Sequence, residues 1–309
     1  MLELLFLGTG AAVPSREHST SCIAVRSGSN IILLDCGEGS QRQIMVSPFS
    51  FMKIRAILIT HMHGDHVFGL PGLLQTMGIS GRKEPLTVYG PRGIAAGLSA
   101  MMSATEGETT YPVDVVELSG GETFQVGTMT VECYPTDHGM PSVGYVVREP
   151  DRPGKLDRDA ALALGIRDGP DMAKLKNGET VNGVRPEQVL GPSARGQSVS
   201  YTGDTLPCQS VVEASRGVDV LVHEATYTES EADQARDHYH STSMSAAEVA
   251  RAAGVGCLML THISNRYDDR GVILEEARAT FPNSFVAEDM DLYEITSQGV
   301  RLRPAGNRS

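Results

Sequence analysis

The segment that most limits what this chain can become is Thr60-His61-Met62-His63-Gly64-Asp65-His66, which directly follows the apolar run Ile54-Arg-Ala-Ile-Leu-Ile-Thr60. A short apolar run of this kind reads as a buried strand. The strand therefore delivers three imidazoles and a carboxylate into one loop. His61 and His63 stand two apart, so an extended loop aims both at one cation. Asp65 and His66 fall on the next turn and address a second. Neutral imidazole nitrogen and carboxylate oxygen suit Zn²⁺, and Mn²⁺ or Fe²⁺ under some conditions. The plain alternative, a polar turn that collected histidines by chance, leaves the HxHxDH spacing unexplained.

Two cations need more donors than one loop holds, and the chain offers them after other short apolar runs. His138 follows Pro135-Thr-Asp137, Asp204 sits in Tyr201-Thr-Gly-Asp-Thr205, and His262 follows Leu258-Met-Leu-Thr261. Taken singly, each is an ordinary cap or surface residue; placed together after buried strands, they point to one site. Residues 2–7, parts of 22–34 (with Ile31–Asp35 buried), Val126–Cys133, Val143–Val147, Ser198–Thr202, Val218–His223 and Cys257–Thr261 read as strands. Residues 66–78 read as a helix that tolerates Pro71 near its start. A second helix is expected at Ser243–Ala253 with Ser243 or Ser245 as N-cap, and a third at 272–280. Polar residues recurring at strand ends indicate a layered α/β domain with its site on loops at one edge.

Composition narrows the reading further. The five cysteines are scattered and form no CxxC pair, which argues against a disulfide scaffold or a thiolate zinc site and for a reducing cytoplasm. The apolar start, Met1-Leu-Glu-Leu-Leu-Phe-Leu-Gly8, lacks a basic flank and breaks at glycine, so it reads as a first strand and not a signal peptide or anchor. The formal net charge of −12 speaks against a large, indiscriminate basic groove for nucleic acid. From about Glu149 to Arg195 the chain turns rich in Pro, Gly and charge, with a short helical piece near Arg158–Leu164. Nine Lys/Arg face eight acids between 148 and 195, so the rest of the chain carries all the excess negative charge. Long excursions of this kind are usually functional or disordered.

HxHxDH, a distant histidine, Gly-Asp and a last histidine after an apolar strand together resemble the metallo-β-lactamase superfamily. The resemblance implies an α/β fold, a four-layer αββα sandwich with an inserted flexible arm. It also implies a first metal on His61, His63 and His138, a second on Asp65, His66 and His262, and Asp204 bridging the two. Phe6-Leu-Gly-Thr-Gly10, Asp35-Cys-Gly-Glu-Gly39 with Gln41, His223-Glu-Ala-Thr226 and His240-Ser-Thr242 resemble the ribonuclease Z family within it. Gly169-Pro170 with Lys174-Leu-Lys-Asn-Gly178 resembles that family's tRNA-gripping arm. The match runs from residue 2 to near residue 295.

Membership in that family would make the chain a single domain, 1–309, with the arm inserted at 149–195. It would be a zinc-dependent endoribonuclease, with two Zn²⁺ and no organic cofactor, cleaving the 3′ trailer from precursor tRNA as a cytoplasmic homodimer, with no membrane. Arg152, Lys155, Lys174 and Lys176 are the expected arm contacts to the tRNA backbone. One stretch departs from the family's Pro-x-Lys-x-Arg-Asn loop, reading Pro14-Ser-Arg16-Glu-His18-Ser19 here, which bears on how a CCA terminus is handled.

For phosphodiester cleavage, Asp65 is placed to accept the proton of the attacking water. His240 is placed to protonate the leaving ribose oxygen, with Glu224 orienting its ring. The bland readings are a helix-start histidine and a strand-end carboxylate paired elsewhere. A small-substrate or cyclic phosphodiesterase of the same fold needs neither the arm nor the first-loop motif. A thioester or lactone hydrolase gives His240 and Glu224 no task, since a thiolate leaves unprotonated. A metal-stabilised RNA-binding protein without catalysis gives Asp65 and the full ligand set none.

Overall fold

The computed structural model describes residues 1–104 and 107–303. The chain opens with β1 (Leu2–Gly8), β2 (Cys22–Ser27) and β3 (Asn30–Leu34), an antiparallel meander. Helix α1 (Ser40–Val46) returns it to β4 (Ile54–Leu58), which pairs parallel to β3. Helices α2 (Gly64–Val67) and α3 (Leu70–Ile79) precede β5 (Leu86–Pro91), and α4 (Ile94–Ala104) precedes β6 (Val113–Leu118), both strands continuing in parallel. Residues of β1, β3 and β4 are buried on both faces, which is why they read as continuous apolar runs instead of alternating ones.

The second sheet begins with β7 (Thr123–Val126), β8 (Met129–Pro135) and β9 (Val143–Arg148). After the inserted segment, which carries α5 (Arg158–Ala163) and α6 (Pro170–Lys176), come β10 (Ser198–Tyr201), α7 (Gln209–Ala214) and β11 (Val220–Glu224). Then follow α8 (Ala232–Asp237), α9 (Ser243–Ala253), β12 (Leu258–Thr261), α10 (Gly271–Thr280) and β13 (Ser284–Val286). The last hairpin, β14 (Leu292–Thr296) and β15 (Gly299–Arg303), crosses back to edge the first sheet. The sheet orders are β15-β14-β1-β2-β3-β4-β5-β6 and β13-β12-β11-β10-β9-β8-β7.

Three apolar clusters define the layers. One joins the facing sides of the two sheets, with Leu4, Phe6, Ile32 and Leu58 from the first and Val131, Tyr145, Val199 and Val222 from the second. A second packs α1, α3 and α4 on the first sheet, and a third packs α7, α9 and α10 on the second. This is the four-layer αββα arrangement. No helix among the described residues is long and apolar enough to cross a membrane.

The contacts set Glu149–Gly196 apart as a second compact unit. Within it Arg152 pairs with Ala194 and Leu156 with Leu190, and Ala161, Ile166, Met172, Leu175, Val181, Val184 and Val189 form a core of its own.

Three sequence expectations need correction. Residues 66–78 are not one helix, because the amide of Gly69 donates to Cys36 O at 2.9 Å; a Cβ at Gly69 would lie 2.2 Å from Gly37 O. Val126–Cys133 is a hairpin, since Gly127 turns the chain at φ 61° between β7 and β8. The N-cap of α9 is Thr242, whose hydroxyl accepts from the Ser245 amide while Ser245 Oγ accepts from the Thr242 amide. Thr242, Ser243 and Ser245 all carry hydroxyls of the kind that cap helices. The bridge from Thr242 to Tyr227 fixes which of them leaves the helix.

Candidate active site

Five strands that share a direction within their sheets, β3 and β4 in the first and β10, β11 and β12 in the second, end near one another. β8 runs antiparallel to β9, and β9 to β10, so β8 ends on the same side. Their exits supply Asp35, His61, His138, Asp204, Glu224 and His262. Two glycines let these loops close. A Cβ on Gly37 would meet Asp65 O at 2.1 Å, and one on Gly203, already at φ 60°, would meet the Thr60 side chain at 2.6 Å.

All seven expected ligands converge. His61 Nε2 and His138 Nε2 lie 3.0 and 3.1 Å from His63 Nδ1, and 3.6 and 3.9 Å from Asp204 Oδ2. His66 Nε2 and His262 Nε2 lie 3.5 and 3.3 Å from Asp65 Oδ2, and each stands 3.4 Å from Asp204 Oδ2. Two groups able to hold a cation result, His61–His63–His138–Asp204 and Asp65–His66–His262, with Asp204 reaching both. Donors at tetrahedral bond lengths around one zinc would stand about 3.3 Å apart, the spacing found here. The donor set also leaves polar atoms for a cation to satisfy. His66 Nε2 and Asp204 Oδ1 are buried without a hydrogen-bond partner, a costly arrangement otherwise.

The far side of four of the five rings is fixed. Thr60 Oγ1 donates to Asp35 and so accepts from His61 Nδ1 at 3.0 Å. Asp35 Oδ2 accepts from His66 Nδ1 at 2.7 Å and from Tyr201 OH at 2.8 Å. His138 Nδ1 donates to Tyr239 O at 2.9 Å, and His262 Nδ1 lies 3.0 Å from Thr226 Oγ1. Four rings are thereby locked with Nε2 directed inward, and His63 alone presents Nδ1. Asp35, Thr60, Tyr201 and Thr226 were not singled out for this task by sequence. The Asp35-Cys-Gly-Glu-Gly39 stretch was the available signal, but it names a turn and not a partner. Asp35, Ala12, Tyr239 and His262 all adopt positive φ, four of the six non-glycine residues that do so among the described residues. Such strain concentrates where a site is over-determined.

Glu224 is fully buried at the end of β11 and accepts from the Thr205 amide at 3.0 Å and from Thr226 Oγ1 at 2.6 Å. His240 Nδ1 lies 2.9 Å from Glu224 Oε1 and 4.0 Å from Asp204 Oδ2. Burial works against charging the His240 ring, but the Glu224 carboxylate overrides it and lifts the pKa to about 9. Burial likewise opposes charge on Glu224, yet His240 holds its carboxyl below the usual range. The same competition at Asp65, burial against His262 and His66, leaves its carboxyl well below the ordinary value. The Ala12 amide also donates to Asp65 Oδ2 at 2.9 Å, which ties the first loop to the site.

The arm residues lie in the second unit. Arg152 meets Glu149 at 3.2 Å, and Lys174 and Lys176 occupy the last turn of α6, with Lys174 3.8 Å from Asp171. Lys155 lines a recess with Leu156, Asp157 and Gln188.

A family profile described as "Beta-lactamase superfamily domain" matches residues 171–263, and one described as "Anti-Pycsar protein Apyc1" matches 2–152. The chain is 43% identical over 300 residues to ribonuclease Z of Methanosarcina mazei, covering 96% of this chain and 98% of that protein. It is 41% identical to ribonuclease Z of Bacillus licheniformis, covering 95% and 99%. Among solved structures, the short form of human tRNase Z superposes with a TM-score of 0.69 at 27% identity, over 95% of this chain and 99% of that one. Identity at this level over nearly the whole length, with a His/Asp cluster compatible with metal binding at the strand ends, places the chain in the ribonuclease Z family of metal-dependent, phosphodiester-hydrolysing endoribonucleases.

Proposed function

We propose that the chain is a zinc endoribonuclease that removes the 3′ trailer from precursor tRNA, leaving a 3′-hydroxyl on the tRNA and a 5′-phosphate on the trailer. The observation that carries the product chemistry is the His240–Glu224 pair beside the two cation-binding groups. A 3′ alkoxide is a poor leaving group, and an imidazolium held charged by a buried carboxylate is the donor it requires.

His61, His63 and His138 would hold one Zn²⁺, Asp65, His66 and His262 the other, with Asp204 shared. When bound, the pair supplies Lewis-acid charge to the phosphate and acidifies a water. The protein's own groups do the rest. Asp65, kept ionised and fixed by the Ala12 amide, accepts a hydrogen from the attacking water. Glu224 anchors Nδ1–H of His240, so Nε2–H is the proton offered to the leaving oxygen.

Arg152, Lys155, Lys174 and Lys176 would grip the tRNA backbone, reading shape and not sequence. A small-substrate phosphodiesterase has no task for such a unit. Met45, Val46 and Phe68 are exposed around a recess of about 540 Å³ that also involves Gln41 and Arg42. An exposed apolar cluster of this kind supports the homodimer, in which one subunit's arm would serve the other's site. The deciding experiment incubates metal-analysed protein with a 3′-extended precursor tRNA and maps the new ends. Cleavage at the trailer junction by the wild type, absent in Asp65→Ala, supports the reading; a cut elsewhere, or none, refutes it.

A further inference from the structure

A second recess opens beside the proposed proton donor. It encloses about 380 Å³ and is lined by His240 together with Asp137, Leu206, Pro207, Glu229 and Ala232, among others. Its volume is that of a small-molecule site, ample for one base with its ribose. The lining is of two kinds. Leu206, Pro207 and Ala232 give an apolar wall suited to a flat ring. Asp137 and Glu229 give carboxylates, which only accept hydrogen bonds when ionised. Arg236 also lines it, but that cation is exposed and lies 3.4 Å from Asp233. A recess with two carboxylates repels a phosphate and welcomes the hydroxyl and amino donors of a nucleoside.

The two carboxylates are not equivalent. Glu229 Oε2 already accepts from Thr242 Oγ1 at 2.6 Å, which holds the start of α9. The Asp137 side chain is exposed, and no donor among the described residues engages it. Its backbone is nevertheless pinned, the amide donating to Thr205 Oγ1 at 3.0 Å and the carbonyl accepting from the Leu206 amide at 2.8 Å. Asp137 is therefore an exposed acceptor on a pinned backbone, one residue from His138. Next to His240, Tyr239 keeps its ring exposed and packed against Gly139, where an added Cβ would lie 3.0 Å from the ring. An exposed ring at the mouth of a nuclease site is a stacking surface for single-stranded bases.

We infer that this recess seats the nucleoside immediately 5′ of the scissile phosphate, with Asp137 accepting the hydrogen of its ribose 2′-hydroxyl. The inference rests on His240 protonating the 3′ oxygen, since that places the sugar bearing the oxygen on His240's side. The 2′-hydroxyl is the atom that separates RNA from DNA at a given position, so Asp137 makes the enzyme selective for ribose at the cut.

The test pairs one enzyme with two substrates, a precursor tRNA and the same RNA with a single 2′-deoxy sugar 5′ of the cut. The wild-type holoenzyme loses about tenfold in kcat/KM on the deoxy substrate, as expected for one hydrogen bond to a carboxylate. In Asp137→Ala the all-ribose substrate falls by a similar factor and the deoxy penalty shrinks towards one; Asp137→Asn is intermediate. The ratio compares two substrates on the same protein, so partial loss of metal or fold leaves it readable. Ala232→Trp, which fills the recess, raises KM for both substrates. A deoxy penalty equal in wild type and Asp137→Ala, or absent from the wild type, overturns the assignment. Failure of the wild type to cut the all-ribose RNA sinks the proposed endoribonuclease function instead, and His240→Ala tests the proton-donor reading separately.

Discussion

The body of the molecule and its inserted unit are ordered in opposite ways. At the strand ends of the body, four imidazoles are held by a second polar atom each, and Asp35 alone accepts from Thr60, His66 and Tyr201. In Glu149–Gly196, seven small or medium apolar side chains make a core, and the cations outside it stand exposed or beside single acids. Chemistry needs donors fixed to within a fraction of an ångström, because a cation tolerates little error in its ligands. Recognition of a helix by its phosphates needs reach and adaptable charge, and side-chain order there would cost entropy for little gain. On the proposed reading, the division of labour between the two is a division of rigidity.

The sharpest way to break it is Asp204→Ala. Asp204 stands within 3.4 to 3.9 Å of four histidine nitrogens spread over both cation groups, so its loss uncouples them. All turnover disappears, on precursor tRNA and on bis-p-nitrophenyl phosphate alike, and metal analysis finds fewer than two ions per chain. Two ions retained without activity would make Asp204 something other than the shared ligand. Removing residues 152–192 has the opposite signature. Arg152 and Ala194 exchange hydrogen bonds of 2.8 and 2.9 Å, so the cut ends already lie side by side and can be joined. Precursor-tRNA cleavage is lost and bis-p-nitrophenyl phosphate is still hydrolysed. Survival of both activities would deny the inserted unit any part in recognition.

The same contrast governs how much could be read from the sequence. HxHxDH, His138, Asp204 and His262 were visible because a ligand type is a chemical choice, and each follows an apolar strand that announces itself. Asp35, Thr60, Tyr201 and Thr226 were not, because a supporting hydrogen bond depends on which loops meet in space. The fold's layers were legible where strands are buried on both faces, as in β1, β3 and β4. They were less so at α4, β5 and β6, where burial alternates unevenly. The helix at 66–78 was misjudged for a tertiary reason, the capture of the Gly69 amide by Cys36. In the inserted unit, the many prolines and glycines hid a core that only its own folding assembles.

His240→Ala separates positioning from charge within the rigid half. A general acid contributes about 10²- to 10⁴-fold, so precursor-tRNA turnover falls by that order while two metals per chain are retained. Bis-p-nitrophenyl phosphate, whose nitrophenolate leaves without a proton, loses far less. Equal losses on both substrates, or loss of metal, would recast His240 as a structural support for the cation site.

The smallest effect belongs to the inserted unit. Lys174→Ala combined with Lys176→Ala removes two cations from the last turn of α6 and no part of the unit's core. Every RNA phosphate that a lysine no longer neutralises flattens the dependence of log kcat/KM on log salt by about 0.7 to 0.9. The double variant should therefore raise KM at moderate salt, leave kcat unchanged, and converge on the wild type as salt rises. Asp171 lies 3.8 Å from Lys174, an exposed pair of the kind worth little to stability, so folding is not the cause of any change. A drop in kcat with the salt slope intact would mean that these lysines act on the chemistry, and the separation of rigid and adaptable roles would fail at that point.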